Sequence, residues 1–291
     1  MSDTFQLTAA KPAKPHRSPS QMGKYSQCGE SFRRYYIEKE RFPPVLAMLK
    51  GTGMHYAAAH NFRQKIESGV DLPVPQIVAA AIRGFDEAVA KDGVQYSDDE
   101  KAIGEQKSLA DARGDVMSLA AAFATMQAPD YKPIAVEEPV RIEVPRSTHD
   151  LYGIMDLVAI ELKTGRRLVV DFKNAKRKKG AADAAESMQL TFYAAGHMVK
   201  YGIPADEVRL DVLVKTAKGV TRQVLTEQRD AADFQVLANR INAMDQGIKA
   251  GVFLPAMPGS WWCSSKFCPY HGSCVFVNAA RINAAMDGDG Q

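Results

Sequence analysis

Apolar and polar residues alternate along LYGIMDLVAIELKTGRRLVVDFKN, residues 151–174, on either side of a turn. The pattern predicts a β-hairpin centred on Thr164-Gly165. That centre sets Lys173 opposite Asp156 and Asp171 opposite Val158. Side chains alternate faces along a strand, so Asp156, Asp171 and Lys173 share one face. Upstream, IAVEEPVRIEVP (134–145) reads as a strand interrupted at Pro139. Downstream, 181–202 is predicted to be one helix, with Gln189 and Tyr193 four residues apart on one face. Residues 208–216 and 219–227 read as a second hairpin, and 231–250 as a closing helix.

The first part of the chain has a helical period instead. A helix over 25–39 stops at Pro43-Pro44. Gly51 and Gly53 lead into a helix over 54–67, with His55 in its first turn. His60 lies five residues on, which rotates it off the face of His55. Residues 70–130 carry alanine-rich stripes that read as packing surface, on a lid or an inserted helical arm. Residues 1–21 and 279–291 read as tails, the first of them disordered, around one domain over 22–278. The element order predicts an α/β sheet flanked by helices, not a βαβ repeat of the dinucleotide-binding type.

Composition narrows the class. In 291 residues, 46% are hydrophobic and 24% charged, as in a soluble globular protein. A net charge of +3 means that polyanion affinity must come from local clusters. No apolar run is long enough to span a membrane. The N-terminus has no apolar signal core, from which a reducing cytoplasm is expected. There is no phosphate-cradling Gly-rich loop, which argues against a nucleotide-driven enzyme.

Two carboxylates and a lysine on one face, among valines and isoleucines, are costly unless a cation offsets the charge. The alternative is two solvated acids on an edge hairpin. The four cysteines are Cys28, Cys263, Cys268 and Cys274, three of them within GSWWCSSKFCPYHGSC. Four thiolates suit a zinc ion or a four-iron cluster. A site closed by both ends of the chain would clip a long loop.

His55 after Gly-x-Gly, Gly153-x-x-Asp156, Asp171-x-Lys173 and Gln189-x-x-x-Tyr193 occur in that order. The series resembles the RecB-type branch of the PD-(D/E)XK nucleases. With the four cysteines it is similar to the members whose domain is stapled by a 4Fe–4S cluster: AddB-like, CRISPR-associated RecB-like and phage exonucleases. The resemblance implies a restriction-endonuclease-like core and a metal-dependent DNA exonuclease of recombination, repair or phage DNA processing. It implies His55, Asp156, Asp171 and the Phe172 carbonyl as ligands of Mg²⁺ or Mn²⁺. Lys173 would orient or activate the attacking water, and Gln189 and Tyr193 would face the scissile bond. Cys28, Cys263, Cys268 and Cys274 would hold the cluster, with Zn²⁺ the alternative. Four residues separate Cys263 from Cys268 where many relatives have two.

Next to such a site, the run Lys176, Arg177, Lys178 and Lys179 is expected to contact DNA phosphates. The expected setting is a bacterial cytoplasm, the gene being bacterial or phage-borne. DNA is the expected partner, with a single-strand-annealing or recombinase protein as a second. The rival readings are an endonuclease or CRISPR-adaptation nuclease of the same fold, a zinc-binding structural protein, and a non-catalytic DNA-binding module.

Overall fold

The structure is a computed structural model that describes residues 14–277. It falls into two compact units. The larger takes Pro43–Asn242 with the short segment up to Pro19; the smaller takes Ser20–Phe42 and the chain from Ala243.

In the larger unit, helices α3 (Leu46–Ser68), α4 (Val74–Asp92), α5 (Asp98–Ile103) and α6 (Glu105–Ala122) precede β2 (Tyr131–Ile142), β3 (Asp150–Glu161) and β4 (Arg167–Ala175). Helices α7 (Ala181–Ala185) and α8 (Met188–Tyr201) cross to β5 (Glu207–Thr216) and β6 (Gly219–Glu227), and α9 (Ala231–Lys249) follows, of which the part up to Asn242 belongs to this unit. Among the described residues the sheet is six-stranded and mixed. β2 and β4 pair antiparallel with β3, β5 runs parallel to β4, and β6 closes antiparallel.

The two faces of the sheet have different partners. Leu157, Ala159, Leu168, Val170, Phe172 and Leu213 point into a core shared with α3, α4 and α6, where Phe62, Ile77, Phe85 and Phe123 are buried. Residues 70–130 are therefore one wall of the main core, not a lid or arm. Their alanines let the helices approach closely. Helix α8 covers the other face. A Cβ on Gly196 would meet Val140 at 2.7 Å, and one on Gly153 would meet Phe192 at 2.7 Å, so both glycines set that contact.

Several expectations are corrected. The disordered tail expected over 1–21 holds regular structure in its described part: β1 (His16–Arg17) pairs parallel with Asp150 and Leu151, and α1 (Pro19–Gln27) follows; residues 1–13 lie outside the described residues. The expected tail over 279–291 lies outside the described residues. Gly51 and Gly53 lie inside α3, not before it. Gly53 is there for packing, since a Cβ would sit 2.7 Å from the Ala81 carbonyl oxygen on α4. The helix expected over 181–202 breaks into α7 and α8, and Ser187 caps α8 by accepting from the Leu190 N–H. Strand β2 runs through Pro139, paired with Ile154; its irregularity lies instead between Pro133 and Ala135. Among the described residues no helix is long and apolar enough to cross a membrane.

Candidate active site

The hairpin register differs from the one expected, and the difference matters. Pairs run from Ile160↔Arg167 to Leu157↔Val170. The turn therefore centres one residue earlier, on Lys163-Thr164, with Gly165 left-handed at φ 72°. Continued by one pair, this register sets Asp171, not Lys173, opposite Asp156. The shift leaves parity unchanged, so Asp156, Asp171 and Lys173 still share a face. The regular ladder ends at Leu157↔Val170. Just beyond it, the Phe172 N–H donates to Asp156 Oδ2 at 3.1 Å. The carboxylates thus stand where β3 and β4 part.

Six side chains from four elements meet there: Asp156, Asp171, Lys173, Gln189, Tyr193 and His55. Lys173 Nζ is 2.8 Å from Asp171 Oδ1. From α8, Gln189 donates to Asp171 Oδ1 at 3.2 Å, and the Tyr193 hydroxyl donates to Asp156 Oδ1 at 2.7 Å. Gln189 also donates to the Tyr193 oxygen at 3.1 Å. From α3, His55 Nδ1 lies 3.4 Å from Asp156 Oδ2. Phe172 points the opposite way, stacked on Phe62 at 5.9 Å between ring centres, and so anchors the strand that carries Asp171 and Lys173. His60 is exposed, off the site as its offset implied.

The electrostatics follow from depth. Asp171 is 1% exposed. Burial pushes its carboxyl up to about 7, with Lys173 pulling down and Asp156 pushing further up. Burial likewise raises Asp156, although Lys173, Tyr193 and the Phe172 N–H all favour its ionised form. The Lys173 ammonium is disfavoured by burial, but Asp171 and Asp156 outweigh that and hold it protonated. Burial, and then the Lys173 charge, keep His55 neutral at lower pH than usual. A neutral imidazole, a buried carboxylate and a partly buried one are a donor set that fits a hard divalent cation. The side chains at present hold one another: among the described residues, no three His, Cys, Asp or Glu groups are arranged to bind an ion.

One residue that sequence reasoning missed lies at this site. Glu137 on β2 falls opposite Asp156, between the pairs Val136↔Leu157 and Glu138↔Met155. Its charge is felt by His55. Its left-handed backbone, φ 47°, leaves no trace in the strand-like sequence around it.

The basic run follows β4. Lys176, Arg177 and Lys178 are exposed. Lys179 is engaged instead: its N–H donates to Gln223 at 2.8 Å and its ammonium pairs with Asp183 at 3.2 Å.

All four cysteines lie in the smaller unit, as free thiols. Here the two ends of the chain are joined by other bonds. Gly29 N–H donates to Leu254 O at 2.7 Å, Tyr25 to Val252 O at 2.7 Å, and Tyr270 to Glu40 O at 2.6 Å. Cys28 Sγ caps helix α2 (Gly29–Phe32) by accepting from Ser31 N–H at 3.4 Å. Burial raises the Cys268 thiol, and Cys28, Cys263 and Cys274 each add to the rise. Four cysteines are a donor set that fits a thiolate-bound metal centre, but among the described residues no three of them form the expected ligand cage.

Residues 16–275 match the PD-(D/E)XK nuclease superfamily, and the chain belongs to that superfamily. No curated protein matches it. Among solved structures, a protein from Eubacterium rectale named "Putative exonuclease" is similar over 84% of each chain, with 12% identity and a TM-score of 0.50. The structure of SSO0001 covers 92% of this chain and 89% of its own, with 14% identity and a TM-score of 0.43.

Proposed function

We propose that the chain is a metal-dependent DNA exonuclease acting in recombination, repair or phage DNA processing. The observation that carries this reading is the cluster at the β3–β4 parting: the buried Asp171, the partly buried Asp156, a lysine and a neutral histidine converging within hydrogen-bond reach. Superfamily membership supports phosphodiester hydrolysis, and the E. rectale relative's name supports an exonuclease.

His55, Asp156, Asp171 and the Phe172 carbonyl would hold Mg²⁺ or Mn²⁺, which would supply charge relief on the phosphate and a more acidic water. The protein's own part is positional. Tyr193 and the Phe172 N–H fix both oxygens of Asp156. Gln189 ties Asp171 to Tyr193, so helix α8 sets the angle of both acids. The Lys173 ammonium stands beside Asp171, where it orients the attacking water or meets a phosphate oxygen. Lys176, Arg177 and Lys178 then track the backbone without reading bases.

Cys28, Cys263, Cys268 and Cys274 would bind a 4Fe–4S cluster, or Zn²⁺, closing the smaller unit. A brown protein containing iron and acid-labile sulfide supports the cluster; a colourless one with stoichiometric zinc removes it.

The deciding experiment is cleavage of 5′- and 3′-labelled single- and double-stranded DNA, and of a closed circle, with Mg²⁺ and Mn²⁺. Wild type is run beside Asp171→Ala and Lys173→Ala. The reading expects metal-dependent shortening from ends by wild type alone. Cleavage of the circle favours an endonuclease, and activity in either variant removes the site assignment.

A further inference from the structure

Among the described residues, three that are not glycine have a positive φ: Lys39, Glu137 and Arg146. Glu137 is inside a strand. Side chains enter the left-handed region at a cost, and such strain persists where the surroundings impose it, often at functional sites. The surroundings here are a ladder that shifts register between Pro133 and Ala135 and then resumes on both sides of Glu137, at Val136↔Leu157 and Glu138↔Met155. The Glu137 carboxylate pairs with Arg63, which lies on α3 eight residues, about two turns, after His55. The Arg63 side chain is 58% exposed, so its guanidinium keeps donors open to solvent beyond the one given to Glu137.

Resting on the nuclease reading above, we propose that Arg63 is a phosphate-contacting residue at the rim of the site and that Glu137 is the positioning residue that aims it. An exposed ion pair by itself contributes little to stability, and so gives no reason to keep glutamate in a left-handed conformation. A guanidinium held in one orientation loses less freedom when it grips a phosphate, and its planar fork matches two phosphate oxygens. In DNA binding the two residues would act in series, Glu137 through Arg63.

The test compares wild type, Arg63→Ala, Glu137→Asn and the double variant. Asparagine accepts the left-handed conformation, so Glu137→Asn separates strain from charge. Each protein is melted, its affinity for a labelled oligonucleotide is measured across a salt series in Ca²⁺, and its cleavage rate is measured in Mg²⁺. The expected result is that Glu137→Asn melts at or above wild type. Arg63→Ala should bind about tenfold more weakly at low salt, with a log–log salt slope smaller by about 0.7–0.9. Glu137→Asn should weaken binding by less, and the double variant should be no weaker than Arg63→Ala. Wild-type affinity and slope in Arg63→Ala overturn the proposal. So do additive losses in the double variant, or a Glu137→Asn protein that loses its melting temperature along with its binding. If wild type itself cleaves no DNA, the underlying nuclease reading fails too; if it cleaves and the variants bind like wild type, only this proposal fails.

Discussion

Asp171 and Asp211 are buried on neighbouring strands of one sheet, 1% and 0% exposed. They face opposite sides, because Asp211 pairs in register with Phe172 and Asp171 with Leu210. Their surroundings differ in one respect, the balance of charge. Asp211 accepts from Gln127 at 2.8 Å, from Tyr131 at 2.6 Å and from Arg222 at 2.7 Å. Nearby Arg209 pairs with Glu161 at 2.6 Å and with Glu207 at 3.3 Å. Every acid there meets an arginine. Asp171 shares one lysine with a second acid, Asp156, and is pushed up to about 7. Burial alone therefore does not mark a working carboxylate. Burial with too little positive charge makes a carboxylate a candidate, because such a site gains when a cation arrives.

Breaking the balanced cluster should have the largest effect on the fold. Asp211→Ala leaves Arg222 with Asp130 alone and takes the acceptor from the buried Tyr131 hydroxyl and Gln127 amide, and a loss of about 3–5 kcal/mol in urea unfolding is expected. Asp171→Ala should do the reverse. Cleavage should fall by about 10²–10³-fold or more, while stability in EDTA stays at or above wild type. If Asp171→Ala destabilises as much as Asp211→Ala, the contrast between the two clusters is false.

A smaller effect tests how the deficient cluster is built. Gly153 lets Phe192 lie against β3, which brings Tyr193 on the same helix to Asp156. In Gly153→Ala the new Cβ would sit 2.7 Å from the Phe192 ring. The expected cost is about 1–3 kcal/mol, with lower cleavage at saturating DNA as α8 is pushed away. Unchanged activity would mean that the α8 side chains are bystanders.

Protonation separates the clusters further. The folded-state pKa of Asp171 is raised, so between about 4 and about 7 the folded protein holds a proton that the unfolded chain has released. Stability in EDTA should therefore fall as pH rises through that window, with the penalty complete above it. Asp171→Asn carries no such penalty, so its advantage over wild type should grow from pH 4 to 7. Parallel pH–stability curves for the two proteins would contradict the raised pKa.

The two clusters were not equally legible in the sequence. Asp156, Asp171 and Lys173 could be placed on one face because strand alternation depends only on parity. That is why a turn misplaced by one residue did no harm. Gln189 and Tyr193 followed from helical spacing, which survived the break between α7 and α8. The balanced cluster was invisible. Asp211, Arg222, Tyr131 and Gln127 come from four separate segments, and alternation along β5 and β6 says nothing about which charge meets which. Residues 70–130 looked like an arm because alanine stripes record that a helix packs, not against what. Glu137 was missed for a deeper reason: its strain is imposed by the register of β2 on β3, a property of two strands at once.

The basic loop gives the smallest predicted effect and the finest division within one run of charge. Lys179 is tied by its backbone to Gln223 and by its ammonium to Asp183, so it resembles the paired arginines around Asp211 more than its neighbours. Lys176, Arg177 and Lys178 are exposed, and exposed cations are screened and cost little to replace. Their joint replacement by alanine should leave the melting temperature within a few degrees and the cleavage rate at saturating DNA nearly intact. It should weaken binding equally for unrelated sequences, because phosphate contacts carry no base information. The log–log salt dependence of binding should flatten by roughly 2–3, the sum of three lost phosphate contacts. Lys179→Ala should instead change the slope little and lower stability slightly, by about 0.2–0.5 kcal/mol for its i,i+4 pair with Asp183. A slope that responds to Lys179 and not to the other three would put the DNA track on the other side of this loop.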